Sequence, residues 1–253
     1  MSLSFLSFGN ERFVKSRERI KNEASAILNR KGLPFFNSVI VETEDIENDE
    51  EYKAIIDKIP KTLGNGRGFW WYTWKPYVIY KTLKTLKDGD FLFYCDAGMT
   101  LMNNNVVKRR LEGLIRTVSN PEVCPTGWVT FITTGPPHER QEYMFNTNQI
   151  FEHFNVIDNE DITHTQQCQA GVHMIKKSEK TMEISELWYK TAVEKPNLFV
   201  ADPRVFKGME SSGMEGFRQH RHDQSVWSII VKLHNVTIFN HNRNPCRQSH
   251  HRC

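Results

Sequence analysis

Short apolar runs alternate along the chain with longer stretches in which apolar residues recur every third or fourth position, the rhythm of a mostly parallel sheet covered by helices. Leu3 to Phe8 predicts a first strand, Arg12 to Asn29 a polar-faced helix, and Phe35 to Val41 a second strand. Pro76 suits the first turn of a helix in which Ile79, Leu83 and Leu86 repeat at i, i+4 and i+7, and Asp88-Gly89-Asp90 supplies the turn that ends it. The unbroken apolar run Phe91 to Cys95 predicts a central strand buried on both faces. Further strands are expected over Trp128 to Thr133 and Ala170 to Ile175, and helices over about Glu139 to Phe154 and Glu179 to Lys195. Val226, Ile229, Ile230 and Leu233 place a last helix starting near His222 and Asp223.

This rhythm predicts one α/β, Rossmann-like domain over residues 1–240, with a polar tail over 241–253 that has no periodicity and is expected to be loosely ordered. No internal repeat and no Pro-, Gly- or Ser-rich linker divides the 253 residues. A hydrophobic fraction of 39% with 25% charged residues is that of a folded domain. The net charge of +3, spread over interleaved acids and bases, argues against a nucleic-acid-binding surface. Leu3 to Phe8 is too short to span a bilayer and runs into charged residues, so neither a membrane segment nor an export signal is expected. Five cysteines with no CxxC pair fit reduced thiols in a cytoplasmic setting, with Cys95 as core packing.

Four segments carry candidate chemistry. Asp96 directly follows the buried run, at the strand end where open α/β sheets bind ligands, and Ala97-Gly98 lets a ligand approach the backbone. A turn aspartate satisfying its own backbone is the plain alternative. Gly66 to Pro76 crowds Trp70, Trp71, Tyr72 and Trp74 ahead of a helix whose first turn carries Lys75. Aromatic faces suit sugars or bases and a lysine at a helix start suits phosphate, although two of the three tryptophans are expected to be core. His220-Arg221-His222-Asp223-Gln224-Ser225 gathers two imidazoles, a guanidinium and a carboxylate at a helix mouth, while Asp223 would also serve as a simple N-cap. Gln169-Ala170-Gly171 adds an amide beside two small residues, suited to reading sugar hydroxyls.

Taken in order, the segments Arg67 to Pro76, Asp88 to Gly98, Gln169 to Gly171 and His220 to Ser225 resemble the motifs of small GT-A-type glycosyltransferases of bacteria and large DNA viruses, over roughly residues 4–235. The resemblance implies transfer of a hexose or pentose from a UDP- or GDP-linked donor to a carbohydrate acceptor, with Mn2+ or Mg2+ as cofactor. Asp96 stands at the first acidic position of that family's DxD motif, whereas the third position is Gly98, so His220 or His222 would have to complete a metal site with Asp96. Asp223-Gln224 is similar to the Asp-Gln pair of several retaining families, which favours retention, although Asp223 could equally serve an inverting enzyme as the carboxylate that takes the acceptor proton; these two are the catalytic candidates. Phe8, Arg12, Lys75, Asp96, Ala97, Gly98 and Arg221 are the expected donor-binding residues, with Arg17 beside Arg12 on the first helix. Trp70, Trp74, Gln169, Ala170, Gly171 and His222 are expected at the sugar or acceptor. A sugar-phosphate nucleotidyltransferase, and a non-catalytic carbohydrate- or nucleic-acid-binding module, are the alternatives; the first wants a basic Gly-rich loop after the first strand, of which Gly9-Asn10-Glu11-Arg12 is a poor version.

Overall fold

A computed structural model of the chain describes residues 1–63, 66–200 and 213–248. It is a mixed α/β structure with a six-stranded central sheet flanked by helices. In chain order the sheet strands are β1 (Leu3–Phe8), β2 (Ser38–Glu42), β3 (Phe91–Cys95), β5 (Trp128–Phe131), β6 (Val172–Lys176) and β7 (Thr237–Phe239), arranged in space as β2-β1-β3-β6-β5-β7. The expected mostly parallel sheet is found. β1 pairs in parallel with β2 and β3, and β5 with β7, while β6 runs antiparallel between β3 and β5. A small two-stranded ribbon joins β4 (Met99–Thr100) to β8 (Arg247–Gln248).

The helices are α1 (Val14–Ala26), α2 (Glu50–Ile56), the one-turn α3 (Gly68–Trp71), α4 (Trp74–Thr85), α5 (Asn105–Ser119), α6 (Asn148–His153), α7 (Glu160–Thr163), α8 (Glu179–Glu194) and α9 (Asp223–Leu233). Alternation along β3 divides the core. Leu92 and Tyr94 face a layer that takes in Tyr77, Ile79 and Leu83 of α4, Ile184 and Trp188 of α8, and Val226 and Trp227 of α9. Phe91, Phe93 and Cys95 face Ile20 and Ala24 of α1 and Val107, Leu111 and Leu114 of α5. Among the described residues no helix is long and apolar enough to cross a membrane.

Three expectations differ from what is found. The helix expected over Glu139 to Phe154 is broken into two 3-10 turns (Pro137–Glu139 and Glu142–Met144) and α6. Glu142, fully buried, is bound by Ser228 and Lys232 of α9 and by Asn146, and its backbone N–H donates to Thr165, so tertiary pairing of this segment overrides helical periodicity. No helix is predicted above for 105–119, yet α5 forms there, capped by the Asn104 side chain on Val106 and Val107. Part of the polar tail is built into the structure: Arg110 donates to the Asn244 carbonyl, Cys246 is buried against Cys95 with the two Sγ atoms 3.0 Å apart, and Arg247 and Gln248 form β8. Residues 249–253 of that tail lie outside the described residues.

Candidate functional site

The parallel strands β1, β3 and β5 end at one edge of the sheet, and the starts of α4 and α9 come to the same edge. There a buried charge cluster assembles from three of the expected residues. Lys75, from the first turn of α4, lies 3.1 Å from Asp96 Oδ1 and 2.6 Å from Asp223 Oδ2. The Lys75 and Asp223 side chains are almost wholly buried, whereas that of Asp96 is one-third exposed. Tyr94 Oη donates to Asp96 Oδ1. Burial is the main influence on Asp223 and lifts its carboxyl to about 6, with the Asp96 charge adding to the rise and Lys75 opposing it. For Lys75 the two carboxylates outweigh burial and hold the ammonium well above its ordinary range. The cluster therefore carries two carboxylates against one ammonium. Lys75, expected as a cation for phosphate, has its charge engaged inside the protein.

Two backbone features seat these side chains. Gly171 accepts the Asp96 N–H at 2.9 Å, and a Cβ on Gly171 would stand 3.0 Å from Asp96 Oδ2, so the small residue makes room for the carboxylate. His222, with φ of 54°, is the N-cap of α9, and Asp223 is its first residue, not its cap. The strained His222 backbone is held by its own ring, whose Nδ1 contacts the Phe199 carbonyl at 2.9 Å, and by Trp71 and Tyr72 packed at ring centroid distances of 5.8 and 5.1 Å.

Trp71 and Tyr72 belong to an unusual turn in which Phe69, Trp70, Trp71 and Tyr72 all have positive φ, between 50° and 64°. Left-handed backbone costs L-residues roughly 1–2 kcal/mol each. The turn is closed by Trp74 Nε1 donating to the Gly68 carbonyl (2.9 Å), Thr73 Oγ1 donating to the Trp70 carbonyl (2.7 Å), and Trp70 Nε1 donating to Glu47. Gly66 and Gly68 also have positive φ, and side chains there would run into the Trp71 and Tyr72 rings.

Two cavities are bordered by residues at or just after Asp96. The smaller, of about 210 Å³, is bounded by Phe8, Asn10, Phe13, Phe69, Tyr72 and Trp74, with Asp96, Ala97 and Gly98 at its border. Phe8 and Trp74 stack at 4.0 Å to make its aromatic wall. The larger, of about 630 Å³, includes Gln169 and Arg221 among its lining. Arg221 stacks on Phe145 at 3.4 Å and donates to Gln167 Oε1, to which Gln224 also donates.

The other expected residues separate from these. Trp70 is half-buried and lines neither cavity; Trp71 and Trp74 are both buried, and Trp74 also forms part of the wall of the smaller cavity. Arg12 is exposed and lines neither cavity, and Arg17 is spent on the Gly9 carbonyl and Glu44. Ala170 is buried, its carbonyl 3.1 Å from His173 Nε2. His220 and His222 are buried and lowered by that burial to about 3 and about 4; His220 Nδ1 accepts the His222 N–H. Among the described residues no three His, Cys, Asp or Glu side chains form a group that could hold a metal ion, and Asp96 and His220 are not brought together in one. Asn10, Phe13, Phe69 and Tyr72 at the aromatic pocket, and Tyr94 and Gln167 beside the charged residues, were not among the expected site residues.

No protein-family model and no curated protein sequence matches the chain. Solved structures that resemble it include mouse xyloside xylosyltransferase 1 in its apo form, at 11% identity over 95% of this chain and 85% of that one, with a TM-score of 0.47. A glycosyltransferase involved in glycosylation of the major capsid of PBCV-1 shows 12% identity over 95% and 82% of the two chains, with a TM-score of 0.43. The galactosyltransferase LgtC, solved with donor and acceptor sugar analogues, shows 12% identity over 94% and 72%, with a TM-score of 0.39. With every score below 0.5, none of these activities is transferred to the chain.

Proposed function

We propose that the protein is a GT-A-type glycosyltransferase that moves a sugar from a nucleoside diphosphate donor to a carbohydrate acceptor with retention at the anomeric carbon. The observation that carries this reading is the position of Asp223: a buried carboxylate lifted to about 6, paired with Lys75 beside Asp96, at the ligand-binding edge of the sheet. The Phe8–Trp74 wall suits a nucleobase, and Asp96 at the border of that pocket suits the ribose and diphosphate. In the transfer, the acceptor hydroxyl oxygen bonds to the anomeric carbon while the bond from that carbon to the diphosphate oxygen breaks. The electron pair leaves on the nucleoside diphosphate, which also takes the acceptor proton. At neutral pH Asp223 is ionised and faces the positive charge that develops on the sugar, while the Gln224 amide beside it orients the sugar.

Tyr94 donates to Asp96 Oδ1, and Lys75 lies 3.1 Å from Oδ1 and donates to Oδ2 at 3.4 Å, while one-third of the Asp96 side chain stays exposed. A divalent cation, Mn2+ or Mg2+, would be held by Asp96 together with the donor's own phosphate oxygens and would supply neutralisation of the leaving diphosphate. Thermal unfolding with UDP and GDP, with and without Mn2+, tests the donor side: one nucleoside diphosphate is expected to raise the Tm, and Mn2+ to add to the rise only when the nucleotide is present. Hydrolysis of UDP- and GDP-linked hexoses and pentoses in the absence of acceptor tests the chemistry. A protein that neither binds these nucleotides nor cleaves any of these donors is not a glycosyltransferase of this kind.

A further inference from the structure

The larger cavity is strongly cationic. Arg110 from α5, Arg140 from the segment after β5, Arg221 ahead of α9, and His241 and Arg247 from the C-terminal segment all line it, and no aspartate or glutamate is among its described lining residues. The arginines are positioned mainly by neutral groups. Arg110 donates to the Asn244 carbonyl at 2.8 Å, and Arg140 donates to the carbonyls of Thr134 and Glu139. Arg140 meets one carboxylate, Glu139, at the long distance of 3.9 Å. Gly135, with φ of 113°, lies against the Arg140 guanidinium so closely that a Cβ would stand 3.1 Å from Nε. Arg221 is half-buried, and burial and the nearby Arg140 charge both press its guanidinium towards losing its proton, to about 10. Like charges gathered in a concave, partly desolvated site focus a positive field on whatever enters it.

We propose that this cavity is the acceptor site and that the acceptor is anionic, a sugar or glycan carrying phosphate, sulfate or carboxylate groups. The assignment of the cavity to the acceptor rests on the glycosyltransferase reading; its affinity for anionic sugars does not. Four guanidiniums around about 630 Å³ are more charge and more room than one diphosphate uses, and the volume is that of a complete small-ligand site. The aromatic pocket that suits the nucleoside is bordered by Asp96, Ala97 and Gly98, while Met99 lines the larger cavity, and among the described residues the two share no lining residue. Gln169 adds a neutral group for sugar hydroxyls, its Nε2 donating to the Ile132 carbonyl at 2.7 Å. Guanidiniums bind phosphate and carboxylate through paired charge-assisted hydrogen bonds.

The test is calorimetric titration of the full chain with glucose 6-phosphate, glucuronate and glucose, alone and with saturating UDP or GDP. The wild type is compared with Arg140→Gln and Arg247→Gln. The expected result is binding of at least one of the two anionic sugars and no binding of glucose, with affinity falling about tenfold or more in each variant and falling also as salt is raised. Nucleotide affinity is expected to be unchanged in both variants, and sugar and nucleotide to bind together. Equal affinity for glucose and the anionic sugars, binding of none of the three, or wild-type affinity in both variants overturns the proposal. Competition between the anionic sugar and the nucleotide overturns it in another way, by giving the cavity to the donor's diphosphate. If neither UDP nor GDP binds while the anionic sugar still does, the glycosyltransferase reading fails and the anion site stands without an acceptor role.

Discussion

Asp223→Asn separates structure from chemistry because it keeps the shape of the side chain and removes its charge. In the folded protein the carboxyl is held at about 6 against an ordinary value of 3.8, mainly by burial. That difference corresponds to roughly 3 kcal/mol. Between these two values the folded state binds this proton more tightly than the unfolded state, so the contribution of Asp223 to stability is full below the lower value and is lost as pH rises through about 6. Asn titrates nowhere in this range. The stability of the variant relative to wild type should therefore rise from its value near pH 4 to a plateau above pH 6, an increase of up to roughly 3 kcal/mol. The partner is not stranded, because Lys75 keeps Asp96 at 3.1 Å. Urea unfolding of both proteins from pH 4 to pH 8 measures the difference directly. Over the same range wild-type kcat should rise through about pH 6 as Asp223 ionises, and the variant should lose about a hundredfold or more in turnover. A stability difference that stays flat with pH would show that Asp223 is not held above its ordinary range. Turnover at the wild-type rate would show that its charge does not serve the reaction.

Two further substitutions test the surroundings. Gly171→Ala places a Cβ 3.0 Å from Asp96 Oδ2 and 3.2 Å from Met99 Cε, so Asp96 must shift by a few tenths of an ångström; steady-state kinetics should show kcat/KM down about tenfold, while the thermal midpoint moves little. Trp74→Phe thins the wall that stacks on Phe8 and removes the hydrogen bond to Gly68; nucleoside diphosphate affinity, read by calorimetry, should fall about fivefold, and unchanged affinity would place the base elsewhere.

What the sequence makes legible follows from the range of each signal. Asp96 and Asp223 announce themselves locally, one as a carboxylate directly after the buried run Phe91 to Cys95, the other at the mouth of an apolar helix. Lys75 is visible as a residue of a helix start, but its role is not, because its partners lie 21 and 148 positions away, and only the sheet order brings them to one edge. The same holds for the cationic cavity. Arg110, Arg140, Arg221 and Arg247 come from four separate segments, none with a motif around it. β6 is apparent as an apolar run, but its antiparallel direction is set by neighbours and not by its own residues. α5 is a different case, since Val107, Leu111, Leu114 and Val118 do carry helical spacing and form its buried face.

The tryptophan-rich segment shows how local oddity and function connect at one remove. Its aromatic density suggests a sugar platform, yet Trp71 is buried, and Trp70 lines neither cavity. Glycines at positions 66 and 68 admit the rings of Trp71 and Tyr72, and the left-handed turn sets those rings against His222. His222 in turn holds the positive φ from which α9 starts, and the first side chain of that helix is Asp223. The turn and His222 thus lead to one outcome, a buried carboxylate lifted to about 6 at the edge of the sheet where β1, β3 and β5 end. Beneath it, His173 is wedged among Trp128, Trp188, Trp227 and Tyr94 and kept neutral by burial, at about 3, so this part of the floor adds no charge. On this account Trp71 and Tyr72 act by fixing the backbone, and Trp74, stacked on Phe8 in the wall of the smaller cavity, is the tryptophan that the proposed donor site would use.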